Sequence, residues 1–95
     1  MKKIIGTTTT YKGSEFGFMK NLKVRIVAIL RSDVDPDSED AFVKDDDHLA
    51  RLGGVKPNDR IEVQPWIEKE RRFSWVTSDP KASDLACFKQ LIQNK

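Results

Sequence analysis

An alternating segment in residues 20–31, KNLKVRIVAILR, limits most strongly how this chain of 95 residues can fold. Its apolar positions recur at every second residue, which predicts a strand with one face against a core. Between them, the first half of the segment carries basic side chains and the second half apolar ones. The strand is therefore expected to enter the centre of a sheet as it proceeds. The alternating apolar positions are Leu22, Val24, Ile26, Ala28 and Leu30.

A hairpin is predicted for residues 60–77, which contain both tryptophans of the chain. Ile61, Val63 and Ile67 share one face of its first strand, and EKER at 68–71 forms the loop. Pro65 lacks a backbone N–H, so this strand is expected to lie at an edge or to contain a bulge.

Two helices are predicted from their termini. Residues 38–54, SEDAFVKDDDHLARLGG, have a helical pattern that places Phe42, Leu49 and Leu52 on one face. Within them, Asp45–Asp47 favours the start of a helical turn, because carboxylates stabilise helix N-termini, and Gly53–Gly54 favours the end of the helix. A second helix is predicted to begin near Asp79 and Pro80 and to continue to the C-terminal end. Its apolar stripe comprises Leu85, Phe88, Leu91 and Ile92.

Residues 1–13 favour a further strand, because four threonines and a tyrosine suit an extended conformation. Together these elements predict one α+β domain over residues 1–95, with the order β-β-α-β-β-α. The sheet is expected to be antiparallel and curled, with about four or five strands and the amphipathic C-terminal helix packed on it. The predicted core comprises Ile26, Ala28, Leu30, Phe42, Leu49, Leu52, Val55, Ile61, Val63 and Val76.

The hairpin register is left open by the sequence. With a loop of residues 68–71, Trp66 opposes Phe73 and Gln64 opposes Trp75, so that the aromatic side chains share one face. A slip by one residue pairs Ile67 with Phe73 and separates the tryptophans. We expect Trp75 to lie mainly in the core and Trp66 to be partly exposed.

Charge is unevenly distributed along the chain. Residues 33–47 contain eight carboxylates and one lysine, a net charge of −7, while the whole chain carries +2. Asp33, Asp35 and Asp37 have the spacing of a calcium loop, but Ser38 and Lys44 stand where such a loop needs glycine and glutamate. We therefore interpret residues 33–47 as a solvated acidic segment, with docking on a basic partner as an alternative.

Catalysis is not expected from this sequence. His48 has no obvious nucleophile near it, Cys87 has no neighbouring base, and Gly53–Gly54 lacks the remainder of a phosphate-binding loop. One cysteine excludes an internal disulfide and a CxxC metal pair. We predict no metal, no cofactor, no membrane segment and, without a visible signal peptide, a cytoplasmic location.

The sequence thus favours a non-catalytic interaction module that self-associates and contacts a protein or small apolar ligand through the 60–77 hairpin. The predicted binding residues are Trp66, Phe73, Arg71, Arg72 and Gln64. The alternative is a nucleic-acid-binding domain that uses the basic strand 20–31 and the same aromatic side chains. An enzyme is the third and weakest interpretation.

The stretches AFVKDDDHLARLGGVKPNDRIEVQPW and RFSWVTSDP resemble small uncharacterised proteins carried on mobile gene cassettes. This resemblance covers about half of the chain and includes no catalytic motif. It implies a bacterial, cytoplasmic and often self-associating protein, and it implies no activity.

Overall fold

A computed structural model describes residues 3–92 of the chain. It contains five antiparallel strands and little helix, in agreement with the coarse α+β prediction. The strands are β1 (Thr8–Thr10), β2 (Lys23–Leu30), β3 (Phe42–Val43), β4 (Arg60–Ile67) and β5 (Arg72–Phe73). The α-helices are α1 (Asp46–Arg51) and α2 (Phe88–Ile92), and the two short 3₁₀ helices are Gly17–Met19 and Ala82–Asp84. No helix within residues 3–92 has the length and apolar character needed to cross a bilayer.

Strand β2 lies in the middle of the sheet, as its alternation predicted. It pairs with β4 along one side, while β1 and β3 pair with the two ends of its other side. Strand β3 was not predicted, because Phe42 and Val43 were assigned to a helix. That helix begins only at Asp46, where the Asp45 side chain caps it by accepting a hydrogen bond of 2.8 Å from the His48 N–H.

The inner face of the sheet carries the core. Leu49 from α1, Leu85 from the C-terminal segment and Leu91 from α2 pack against this face. The strand residues of the core are Val24, Ile26, Ile29, Val43, Ile61 and Val63. The helices therefore cover one face only, and the opposite face of the sheet is the open face.

Most of the predicted core is buried, namely Ile26, Ala28, Leu49, Val55, Ile61 and Val63. Leu30 is half-buried, and Leu52 is half-buried and packs against the core. Phe42 and Val76 are exposed, so the prediction was wrong for these two residues. A bulge between Ile26 and Ala28 explains part of the difference. It shifts the alternation of β2, so that Ile29 instead of Leu30 continues the inner face.

Next to its loop, the hairpin has the first of the two predicted registers, but the second pair of that register, Gln64 with Trp75, does not form. Trp66 opposes Phe73 and Ile67 opposes Arg72, with residues 68–71 as the loop. Arg71 adopts a left-handed φ of +52°, and the N–H groups of Glu70 and Arg71 donate to the carbonyls of Ile67 and Glu68. The loop is thus a hydrogen-bonded turn that holds the two strands in register.

Beyond Phe73 the hairpin contains a bulge of two extra residues. The next paired position is Val63 with Ser78, so residues 74–77 face only residues 64 and 65 of β4. Ser74 donates its N–H to the Pro65 carbonyl at 2.8 Å, but proline has no N–H to return. The pairing of β4 with the second hairpin strand is interrupted there. Trp75 and Val76 leave the sheet, and Trp75 does not enter the core as predicted.

The C-terminal segment also departs from prediction, because no continuous helix begins at Pro80. The Pro80 carbonyl accepts the Ile61 N–H at 2.9 Å, and Ala86 donates to the Thr10 carbonyl at 2.9 Å. Residues 78–86 thereby contact the edges of both β4 and β1, although the sheet is not closed. These hydrogen bonds require extended backbone, so α2 begins only at Phe88. The predicted packing of Ile92 lies outside what the structure describes.

A buried ion pair anchors the end of β2. Arg31 and Asp59 are buried, and Arg31 Nε lies 3.5 Å from Asp59 Oδ2. Asp59 Oδ1 accepts hydrogen bonds from the N–H and hydroxyl of Ser32, and Oδ2 accepts one from the Lys56 N–H. One carboxylate therefore fixes both the loop after β2 and the turn before β4.

Candidate functional site

The open face of the sheet brings aromatic and basic side chains together where β2, β4 and β5 adjoin. We call this cluster the aromatic–basic face and define it by its members. They are Lys23 and Arg25 of β2, Gln64 and Trp66 of β4, and Phe73 of β5. Their common side follows from register, since Arg25 opposes Gln64 and Trp66 opposes Phe73.

The aromatic pair is fixed by its neighbours. The rings of Trp66 and Phe73 meet edge to face, with centroids 5.0 Å apart. The indole Nε1 of Trp66 donates a hydrogen bond of 2.7 Å to Glu68 Oε2. Both rings are half-buried, so part of their apolar surface stays accessible to a ligand.

Each ring has a cation over it. Lys23 Nζ lies 5.2 Å from the centroid of the Trp66 ring, and Arg25 Cζ lies 4.7 Å from that of Phe73. Lys23 is exposed, whereas Arg25 is half-buried and its Nε and Nη2 donate to Gln64 Oε1 at 3.1 and 2.6 Å. Hydrogen bonds thus hold the Arg25 guanidinium in position, whereas Lys23 is exposed to solvent.

The other predicted arginines are not members of this face, because Arg71 lies in the loop and Arg72 opposes Ile67, which places it on the other side of β5 from Phe73. Arg72 donates to the Phe73 carbonyl at 3.1 Å and forms an ion pair with Glu70, and its guanidinium lies 5.9 Å from the Trp75 ring. Arg71 is exposed at the loop and contacts Glu68 at 3.9 Å. Carboxylates of the loop therefore balance both arginines, and neither contributes as strongly to the local positive charge as Lys23 and Arg25.

Three of the five predicted binding residues, Gln64, Trp66 and Phe73, belong to this face, but two other members of the face were missing from the prediction. Lys23 and Arg25 were assigned only to the alternative, as part of the basic strand 20–31. Their outward position was visible in the alternation of β2. Their contact with Trp66 and Phe73 was not visible, because it depends on which strand pairs with β2.

A second exposed feature lies in the bulge that follows β5. The side chain of Trp75 is 82% exposed and that of Val76 is 76% exposed. The Val76 N–H donates to Ser74 Oγ at 3.0 Å, which holds the bulge in shape. We call Trp75 and Val76 the bulge knob. An indole that is exposed to this extent is unusual, since large aromatic side chains are normally buried on at least one side.

Five of the eight carboxylates in the acidic segment have structural partners, and one of them is Asp35, whose Oδ1 accepts the Asp37 N–H at 2.9 Å. Asp33 contacts Lys56, which holds the pKa of Asp33 below its usual range, and Asp40 contacts His48 Nε2 at 2.9 Å. Asp45 caps α1, and Asp46 Oδ1 accepts the N–H groups of Ile4 and Ile5. Among the described residues, no group of three or more His, Cys, Asp or Glu side chains has an arrangement suited to a metal ion.

A cleft of about 480 Å³ lies elsewhere, between residues 12–15 and the C-terminal segment. Charged side chains of both signs line it, including Lys20, Lys81 and Asp84. Another of them, Glu15, is paired with Arg60 at 2.7 Å. The cleft offers no aromatic surface, and we therefore regard the aromatic–basic face as the better candidate site.

Comparisons with protein-family models, with curated proteins and with solved structures find no match to this chain. The resemblance to cassette-borne proteins therefore stays a prediction.

Proposed function

We propose that this protein is a non-catalytic binding module that holds single-stranded nucleic acid on its aromatic–basic face. The observation that carries the proposal is the contact of Lys23 and Arg25 with the rings of Trp66 and Phe73 on an uncovered sheet face. Aromatic rings offer a stacking surface to bases, and adjacent cations attract the phosphates that connect them.

Charge placement supports this ligand class over the apolar ligand that the sequence favoured. Lys23 begins β2, whereas the acidic segment leaves the opposite end of β2 after Leu30, about 23 Å away at the usual rise of a strand. That separation exceeds the Debye length of about 8 Å at physiological ionic strength. The acidic segment therefore repels phosphates at the aromatic–basic face only weakly.

The arrangement suggests separate tasks for the two cations. Arg25 is held against Phe73 and Gln64, so its guanidinium plane extends the stacking surface. Lys23 is exposed and can swing from the Trp66 ring to a phosphate, which uncovers the indole for a base. Single strands are favoured over duplexes because a base can stack on an aromatic ring only when it is not already stacked within a duplex.

Salt dependence tests the proposal. The probe is a labelled single strand of twelve deoxythymidines, dT12. We expect the protein to bind it with an affinity that falls as the salt concentration rises, because binding releases counterions from the strand. Lys23→Ala should reduce the slope of log K against log salt by about 0.7, the value for one phosphate contact on a single strand. Fluorescence anisotropy between 50 and 200 mM salt measures this.

Lys44→Ala is the matched control, because Lys44 also lies over an aromatic ring, that of Phe42, but belongs to the acidic segment. It should leave the slope unchanged. Absence of dT12 binding at 50 mM salt would refute the proposed function, and equal effects of the two substitutions would remove the aromatic–basic face as its site.

The bulge knob favours a second function, self-association through protein contact. A tryptophan and a valine that extend together from a rigid sheet form the kind of anchor that protein interfaces bury. Homo-oligomer formation was also expected from the sequence. The knob and the aromatic–basic face are different surfaces, so the two functions are compatible.

Light scattering with Trp75→Ala tests self-association. We expect the unmodified protein to form a dimer or larger oligomer and the variant to be monomeric, because truncating a buried interface tryptophan costs about 2–4 kcal/mol. Trp66→Ala is the control and should keep the oligomer. A monomeric unmodified protein at 100 µM, on the order of typical working concentrations, would exclude this second function.

A further inference from the structure

The hydrogen bonding of Gln64 indicates which bases the proposed nucleic-acid site prefers. Arg25 Nε and Nη2 both donate to Gln64 Oε1, at 3.1 and 2.6 Å. Arginine has no acceptor atom, so the amide oxygen and not the amide nitrogen must face it. The contact therefore fixes the orientation of the Gln64 amide on the open face.

Only donors remain available on this side chain. Within residues 3–92, Gln64 Nε2 donates no hydrogen bond to another residue, and it is not among the buried unpaired polar atoms. The amide nitrogen is therefore not fully buried, and Gln64 lies on the strand face that carries Trp66 and opposes Arg25. A base stacked on Trp66 would present its edge to two N–H groups, with the glutamine acceptor already occupied.

We infer that Gln64 is a specificity-determining residue that selects bases with carbonyl acceptors, such as thymine and uracil, against adenine. A glutamine with both functions free reads adenine by donating to N7 and accepting from the N6 amino group. Here the acceptor is occupied by Arg25, so the adenine amino group loses its partner. The O4 and O2 atoms of thymine are acceptors and match the free N–H groups.

This inference rests on the proposed function. It is tested by the ratio of the affinities for two strands, because a loss of affinity that is common to both strands cancels in the ratio. The probes are dT12 and a strand of the same length in which the four central thymines are replaced by adenines. We expect the protein to bind dT12 at least about fivefold more tightly, the lower limit for one good base contact. Adenines also stack on one another, so the variants decide whether Gln64 is the cause.

Gln64→Ala should lower the preference for dT12 to about twofold or less, because both donors are removed. Arg25→Ala should lower the preference as well, since the freed Oε1 can then accept from adenine, while both affinities fall together through the lost charge. A preference that survives Gln64→Ala unchanged, or no preference in the unmodified protein, would overturn the inference alone. Failure of both strands to bind would overturn the proposed function, and the inference with it.

Discussion

Asp59→Asn is expected to destabilise the fold by about 3–5 kcal/mol, the usual cost of breaking a buried ion pair from one side. Asp59 is fully buried and accepts three hydrogen bonds through its two oxygens. An asparagine has one acceptor oxygen, so its amide nitrogen would face either the Ser32 donors or the Lys56 N–H. Arg31, whose Nε and Nη1 have no hydrogen-bond partner among the described residues, would also lose its nearest buried counter-charge.

Urea unfolding followed by circular dichroism measures this loss. Small domains have a total stability of about 5–15 kcal/mol, so the variant is expected to be marginally folded at best. Asp33→Asn is the control, because Asp33 is the exposed carboxylate near the same arginine, with Arg31 Nη2 3.4 Å from its Oδ1. It should leave the unfolding midpoint nearly unchanged.

The double variant Arg31→Met with Asp59→Asn separates the ion pair from the hydrogen bonds. Removing the unpaired guanidinium should return part of the lost stability, with a coupling energy of about 1–3 kcal/mol between the two sites. Additive losses would mean that the hydrogen bonds to Ser32 and Lys56, and not the charge pair, account for the role of Asp59.

Trp66→Ala is expected to weaken binding of dT12 by about 10- to 100-fold. Stacking of one base on an aromatic side chain contributes about 1–3 kcal/mol, and the substitution also removes the edge-to-face partner of Phe73. Because Trp66 projects from the open face and is not part of the core cluster, the variant should remain folded. Anisotropy titration at low salt gives the affinity, and urea unfolding gives the stability.

Two further variants show whether the indole acts as a stacking surface. Trp66→Phe should recover most of the affinity, since any aromatic ring can stack on a base. Trp75→Ala removes the other tryptophan of the chain and should leave dT12 binding within about twofold of the original. If Trp66→Ala unfolds the domain, Trp66 is a structural residue, and if it binds dT12 normally, the aromatic–basic face is not the site.

Local sequence patterns predicted the elements whose backbone hydrogen bonding is not altered by contacts with distant parts of the chain. The alternation of β2 predicted a central strand, and the polar residues 68–71 predicted a hairpin loop, but the register that pairs Trp66 with Phe73 was one of two alternatives that the sequence left open. The Asp45 cap and Gly53–Gly54 predicted the ends of the first helix, although the preceding residues Phe42–Val43 form a strand.

The C-terminal segment shows where local pattern fails. Asp79–Pro80 is a good helix start in isolation, but the Pro80 carbonyl and the backbone of Ser78 complete hydrogen bonds with β4. Unpaired polar groups at this sheet edge would cost more than the helical turn gains. A local sequence pattern does not show that a distant strand requires these hydrogen bonds.

For the candidate site, the sequence determined which side chains point outwards, and tertiary structure decided which of them meet. Period-two alternation places Lys23 and Arg25 on one face of β2 and Gln64 and Trp66 on one face of β4, since strand geometry alone fixes sides. The pairing of β2 with β4 brings the two sets together, and the missing N–H of Pro65 turns Trp75 outwards. Both outcomes depend on hydrogen bonds between residues far apart in the chain, which local patterns do not encode.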